Sequence, residues 1–164
     1  MTQQKVKEAA WRVGQCQKLF RTTRLFNWSL NTGLPSTIKN AAADQWQGCA
    51  SIGADIMASS THWRNDSRGF DNFEWLRDLR AFGGSRARSR ARQLIDQWVQ
   101  QNHNWHLGRW QPDIMGQRIA NLLFCYGWYA PSATENFQAR LAQSITLQAR
   151  CLALDWQRLF SQTA

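Results

Sequence analysis

A helix that is apolar nearly all round has to be buried, and residues 112–128 of this chain read as one. Pro112 suits the first helical position, where its missing N–H costs nothing, and Asp113 places negative charge at the positive end of the dipole. Gly116, Arg118 and Asn121 then follow within an otherwise apolar run that reaches Trp128. A buried arginine requires a partner. Arg118 therefore either pairs with Asp113 or another acid to hold neighbouring helices, or it faces a site for an acidic ligand, with Asn121 one turn on. Trp105 and Trp110, just ahead of the helix, read as structural props for it rather than as sugar platforms.

The rest of the chain alternates helix with short joints. Residues 4–20 carry Val6, Ala10, Val13 and Phe20 on one side, at helical spacing. Residues 31–36 break the pattern, and Asp44 to Gly48 read as an ordered loop leading into a short helix through Ile52, Ile56 and Met57. Residues 59–69 form a polar connection, whose His62 has no nucleophile or carboxylate near it in sequence. Asp71 with Glu74 resembles a capping box for the next helix, which Gly83-Gly84 ends. A helix follows from Ser85, its N-cap, to Gln101, with Ala87, Ala91, Leu94, Ile95 and Trp98 on one face. Ala130-Pro131 closes the Pro112 helix, and Ser132 with Glu135 predicts a capping box for the last one. That last helix carries Phe137, Leu141, Ile145, Leu152, Trp156 and Leu159 as a stripe interrupted by Gln148. No strand-like alternation occurs, and the short joints imply antiparallel helix pairs, so the expected class is all-α.

A chain of 164 residues with 43% hydrophobic content is one domain's worth and long enough for a real core. Ten tryptophans against two tyrosines imply a core built from large flat rings. The formal charge is +9, and 16 of the 20 cations are arginine, which points to a polyanionic partner. Cys16, Cys49, Cys125 and Cys151 lack metal-ligand spacing, and Cys125 and Cys151 fall in apolar stretches, so neither a metal site nor a disulfide framework is expected. No cofactor is expected. The polar amino terminus lacks a signal-peptide core, and no run reaches the length of a membrane span, which together imply a soluble, cytoplasmic chain.

No phosphate-loop, nucleophile-elbow, zinc-protease or dinucleotide fingerprint occurs. Residues 77–92 hold six arginines against one acid, Asp78. Arg86 and Arg90 fall on one flank of their helix, and Arg88 and Arg92 on the other. These four form the alternative anion-binding set, and as a nucleic-acid module the chain would bind with steep salt dependence.

Three blocks carry a family resemblance. They are Phe73 to Ala81 with the arginine-rich helix ending at Trp98; Trp110-x-Pro112-Asp113-x-x-Gly116-x-Arg118 with Asn121; and Asp44-x-Trp46-x-Gly48. With Leu141, Ser144, Gln148 and Arg150 in the same order, they make residues 41–164 resemble the amino-terminal helical region of heparinase II/III-like polysaccharide lyases. Residues 1–40 stand apart as an amino-terminal helix and linker.

The resemblance implies part of an (α/α) toroid, incomplete over this length, from a carbon–oxygen lyase that cleaves uronate-containing acidic polysaccharides by β-elimination. In such enzymes a base takes the proton α to the uronate carboxylate, and neutralising groups stabilise the enolate-like intermediate. The family's catalytic Asn, Tyr and His lie beyond the matched blocks. No catalytic residue carries over, and the expectation is an amino-terminal fragment that is not catalytic alone. Arg118 and Asn121 are the residues expected to line the substrate groove. An incomplete toroid would also leave an apolar helix face open to self-association.

Overall fold

Caps and breakers decide where each helix starts and stops. The computed structural model describes residues 19–39, 41, 44–58, 67–106 and 108–161. Residues 19–21 are helical, and the expectations for residues 4–18, Cys16 and His62 lie outside the described residues. The elements that follow are α1 (Arg24–Leu30), α2 (Ala50–Ala58), α3 (Ser67–Asp71), α4 (Trp75–Phe82), α5 (Gly84–Gln101), α6 (Pro112–Phe124), α7 (Tyr126–Tyr129) and α8 (Glu135–Ser161). The described residues contain no strand, and the class is all-α.

Thr23 caps α1 through its hydroxyl oxygen, which accepts from the Phe26 N–H at 3.3 Å. Gly83 and Gly84, with φ of 81° and 79°, make the reversal between α4 and α5 in a conformation that other residues rarely adopt. The start of α5 thus falls at Gly84, not after a Ser85 cap. Pro112 opens α6 as expected, with Asp113 in the first turn.

Three further boundaries differ from the sequence reading. Asp71 ends α3 instead of capping α4, because its carboxylate is drawn inward to accept the Trp98 indole N–H at 2.7 Å. Thr134, not Ser132, caps α8, its hydroxyl accepting from Phe137 N–H at 3.4 Å while the Ser132 hydroxyl bonds to Arg92. The long apolar helix breaks at Cys125. There the Tyr129 hydroxyl supplies the Leu122 carbonyl with a donor at 2.9 Å, at the point where the helical ladder ends.

Helix α2 packs on α4, α4 on α5, and α6 on α8. The main core gathers Phe73, Trp75, Leu76, Leu79, Leu94, Ile95, Trp98, Leu122, Tyr129 and Leu141. A second cluster joins Phe26, Leu30, Trp105, Trp110, Met115, Leu147 and Cys151, tying α1 to α6 and α8. Phe73 takes φ of 63°, a backbone conformation that costs an ordinary residue about 1–2 kcal/mol. Its fully buried ring, 5.3 Å from both Trp75 and Trp98, offsets that cost by apolar burial and edge-to-face contact. Among the described residues no helix is long and apolar enough to cross a membrane.

Candidate functional site

The segment before α2 lies directly on the backbone of α4, and the residue types explain why it can. A Cβ on Gly48 would come within 2.1 Å of the Arg77 carbonyl oxygen, and one on Gly53 within 2.3 Å of the Asp78 carbonyl oxygen. Only glycine permits both approaches. The Asp44 carboxylate then fastens the loop. One oxygen accepts the Trp46 N–H at 2.9 Å, and the other accepts Arg77 Nε at 2.8 Å and Arg80 Nη2 at 3.2 Å. Arg80 also donates to the Trp46 carbonyl at 2.6 Å, and the Asp78 carboxylate accepts the Cys49 N–H at 2.7 Å. Burial alone would raise the Asp44 carboxyl, but the Trp46 N–H and the two guanidinium groups outweigh it and hold the carboxyl below its ordinary value.

Pinned in this way, Trp46 stays 70% exposed, with the Arg77 guanidinium over its ring at 5.1 Å. Facing it is a wall made by the 72–74 turn and by α6. The Asn121 amide donates to the Asn72 carbonyl at 2.8 Å, and the Asn72 amide reaches both Glu74 and Gln117 at 3.4 Å. Between loop and wall lies an open cleft of about 600 Å³, lined by Asp44, Trp46, Glu74, Arg77, Gln117 and Asn121 among others. A second recess of about 720 Å³ continues past Trp46, Glu74 and Arg77 toward Cys49, Ile52 and Trp75. An exposed indole face beside amides and a carboxylate is chemistry suited to a polyhydroxylated ring: C–H groups on the indole, hydroxyls on the polar side chains.

The two residues singled out from sequence part company here. Asn121 stands in the cleft wall. Arg118, one turn earlier, is fully buried beneath it. Its Nε donates to the Asp71 carbonyl, Nη1 to Gln148 Oε1 at 2.7 Å and Nη2 to the Arg109 carbonyl at 2.6 Å. The guanidinium carbon sits 4.1 Å from the Trp98 ring centre. Its hydrogen-bond partners are these carbonyls and Gln148 rather than Asp113, so the groove placement expected for Arg118 is replaced by a structural one. Burial pushes its pKa down to about 10, with Asp71 opposing and Arg109 reinforcing the shift, and it remains a cation at neutral pH.

The four arginines of α5 divide as their helical spacing requires. Arg86 and Arg90 border a shallow groove with Met57 and Gln93. On the other flank, Arg92 Nε donates to the Tyr129 carbonyl at 2.7 Å, committing that side chain to the turn after α7. They do not form one continuous basic face.

Sequence reasoning places Asp44 and Trp46 in an ordered loop and in a family-resemblance block but not in a binding site, and it passes over Glu74, Arg77 and Gln117 as ligands. Two signals are present: an aspartate two residues before a tryptophan, and arginines at i and i+3 on the following helix. Among the described residues no group of three or more His, Cys, Asp or Glu side chains is placed to hold a metal ion. Comparison with known proteins found no matching family model, no matching curated protein and no matching solved structure.

Proposed function

We propose that this chain is the substrate-holding helical portion of a heparinase II/III-like polysaccharide lyase, binding uronate-containing polysaccharide without cleaving it alone. One observation carries the reading. Asp44 and Trp46, Glu74 and Arg77, and Gln117 and Asn121 are far apart in sequence, yet they meet at a single cleft with an exposed indole and amide-lined wall. In this reading the packed pairs α2–α4 and α6–α8 are the opening of an (α/α) toroid. The +9 charge then draws an acidic polymer from a distance, with the cleft providing local contact.

The test is calorimetric titration of the full chain with a tetrasaccharide alternating glucuronate and N-acetylhexosamine. Binding that is lost in Trp46→Ala and kept when Arg86, Arg88, Arg90 and Arg92 are changed to alanine supports the reading. Binding that survives Trp46→Ala, or preferential binding of nucleic acid through the four arginines, overturns it. Incubation with the intact polymer should release no unsaturated uronate.

A further inference from the structure

The charges that line the cleft nearly cancel, although the chain as a whole is strongly basic. Asp44 is satisfied on both oxygens by the Trp46 N–H, Arg77 Nε and Arg80 Nη2, which holds one anion and two cations together. Glu74 is the other ionisable group in the lining. It is exposed, and its carboxylate accepts from the neutral Asn72 amide at 3.4 Å. The lining itself carries Asp44, Glu74 and Arg77, and Arg80 behind Asp44 brings the group to two positive and two negative charges, with the negative charge of Glu74 the more solvent-facing.

We infer that the ring held against Trp46 is an uncharged pyranose, with Glu74 acting as the residue that rejects a carboxylate there. This rests on the saccharide reading above and specifies which unit of the polymer occupies the cleft. A uronate placed beside Glu74 would bring two carboxylates together, while the cation of the lining, Arg77, already pairs with Asp44 through Nε, and like charges at short range are disfavoured. Hydroxyls of an uncharged ring instead donate to Glu74 and exchange hydrogen bonds with the Gln117 and Asn121 amides, while its C–H face lies on the indole. In an alternating polymer the acidic unit then falls on either side of the cleft.

Three probes separate the possibilities on the full chain, read by the indole N–H resonance of Trp46, assigned with Trp46→Phe. They are an N-acetylglucosamine trimer, a galacturonate trimer and the alternating tetrasaccharide. The expected result at pH 7 is that the neutral trimer and the tetrasaccharide shift the resonance, while the galacturonate trimer binds at least tenfold more weakly. Glu74→Gln should raise the ratio of galacturonate-trimer to neutral-trimer affinity about tenfold. If the galacturonate trimer binds as tightly as the neutral one, or Glu74→Gln leaves their ratio unchanged, the cleft takes a uronate and the inference falls while the saccharide reading stands. If none of the three probes moves Trp46, the saccharide reading falls and this inference with it.

Discussion

Arg118 Nη1 and Gln148 Oε1 meet at 2.7 Å across the α6–α8 interface, joining the polar interruptions of two apolar helices. The Gln148 amide in turn donates to the Ser144 carbonyl and hydroxyl oxygens at 3.2 and 3.1 Å, which fixes its orientation toward the guanidinium. The pair explains why each apolar helix tolerates its polar residue: neither group is left unsatisfied in the interior.

Removing Arg118 therefore takes the donor from the buried Asp71 carbonyl, the half-buried Arg109 carbonyl and Gln148 Oε1. Arg118→Met, which keeps most of the volume, should lose about 1–3 kcal/mol of stability in urea unfolding for each acceptor it leaves buried and unsatisfied. Gln148→Ala should lose about 1–3 kcal/mol. The double variant should lose less than the sum, with a coupling of about 0.5–3 kcal/mol. Strict additivity would show that the two side chains do not act as a unit.

Gly48 and Gly127 offer opposite expectations for the same substitution. Gly48→Ala places a methyl group against the Arg77 carbonyl and should destabilise by about 1–3 kcal/mol, freeing the loop that carries Trp46. Gly127 lies in α7, where an added methyl group would meet nothing within 4 Å, and Gly127→Ala should stabilise by about 0.5–1 kcal/mol. Thermal unfolding of both variants beside the parent chain checks the pair.

Stability should depend on pH at both ends of the scale. Burial raises the Cys125 thiol to about 11 from 9.0, so the folded state holds its proton where the unfolded chain gives it up. That contribution, about 2–3 kcal/mol, is complete below pH 9.0 and is lost as pH rises through about 11. Arg118 has the opposite sign. Its folded pKa of about 10 lies below the ordinary guanidinium value, so between the two the unfolded state binds more protons and this group's contribution rises with pH. Asp44, held below 3.8, contributes stability that is present above that value and lost as pH falls through its folded pKa. Cys125→Ala should flatten the loss between pH 9 and 11, and Asp44→Asn should flatten the acid limb, in unfolding curves taken across pH.

Cys49 is exposed at the start of α2, while Cys125 and Cys151 are buried. The Ser51 hydroxyl, followed by the Ile52 and Ser51 N–H groups, favours its thiolate and lowers its pKa from 9.0. Iodoacetamide at pH 8 should modify Cys49 well before either buried thiol, as mapped by peptide mass spectrometry. Equal labelling of Cys49 and Cys125 would mean that α6 and α7 open readily around Cys125.

Much of the helical outline is legible in the sequence because periodicity and caps are local. Pro112, Gly83-Gly84 and the apolar face of Ala87 to Trp98 mark their elements without reference to anything distant. The boundaries that differ depend on partners far along the chain. Asp71 is taken from its capping role by Trp98, and Ser132 by Arg92. The site is only half legible for the same reason. Asn121 and Arg118 share a turn, and no sequence rule says which of them faces out; that is decided by Gln148, thirty positions later. Trp46 and Arg77 become neighbours only because Gly48 lets the loop settle on α4, a long-range contact that a linear pattern does not announce.

The turn from Asp71 to Glu74 carries several obligations in four consecutive residues. Asp71 serves Trp98 and Arg118, Asn72 holds Asn121, Phe73 fills the core from an unusual backbone conformation, and Glu74 faces the cleft. Such a stretch has little room to drift. Inherited variation in what the cleft accepts would have to come from positions outside that turn and its partners, and Gln45, exposed along the lining, is where that latitude lies.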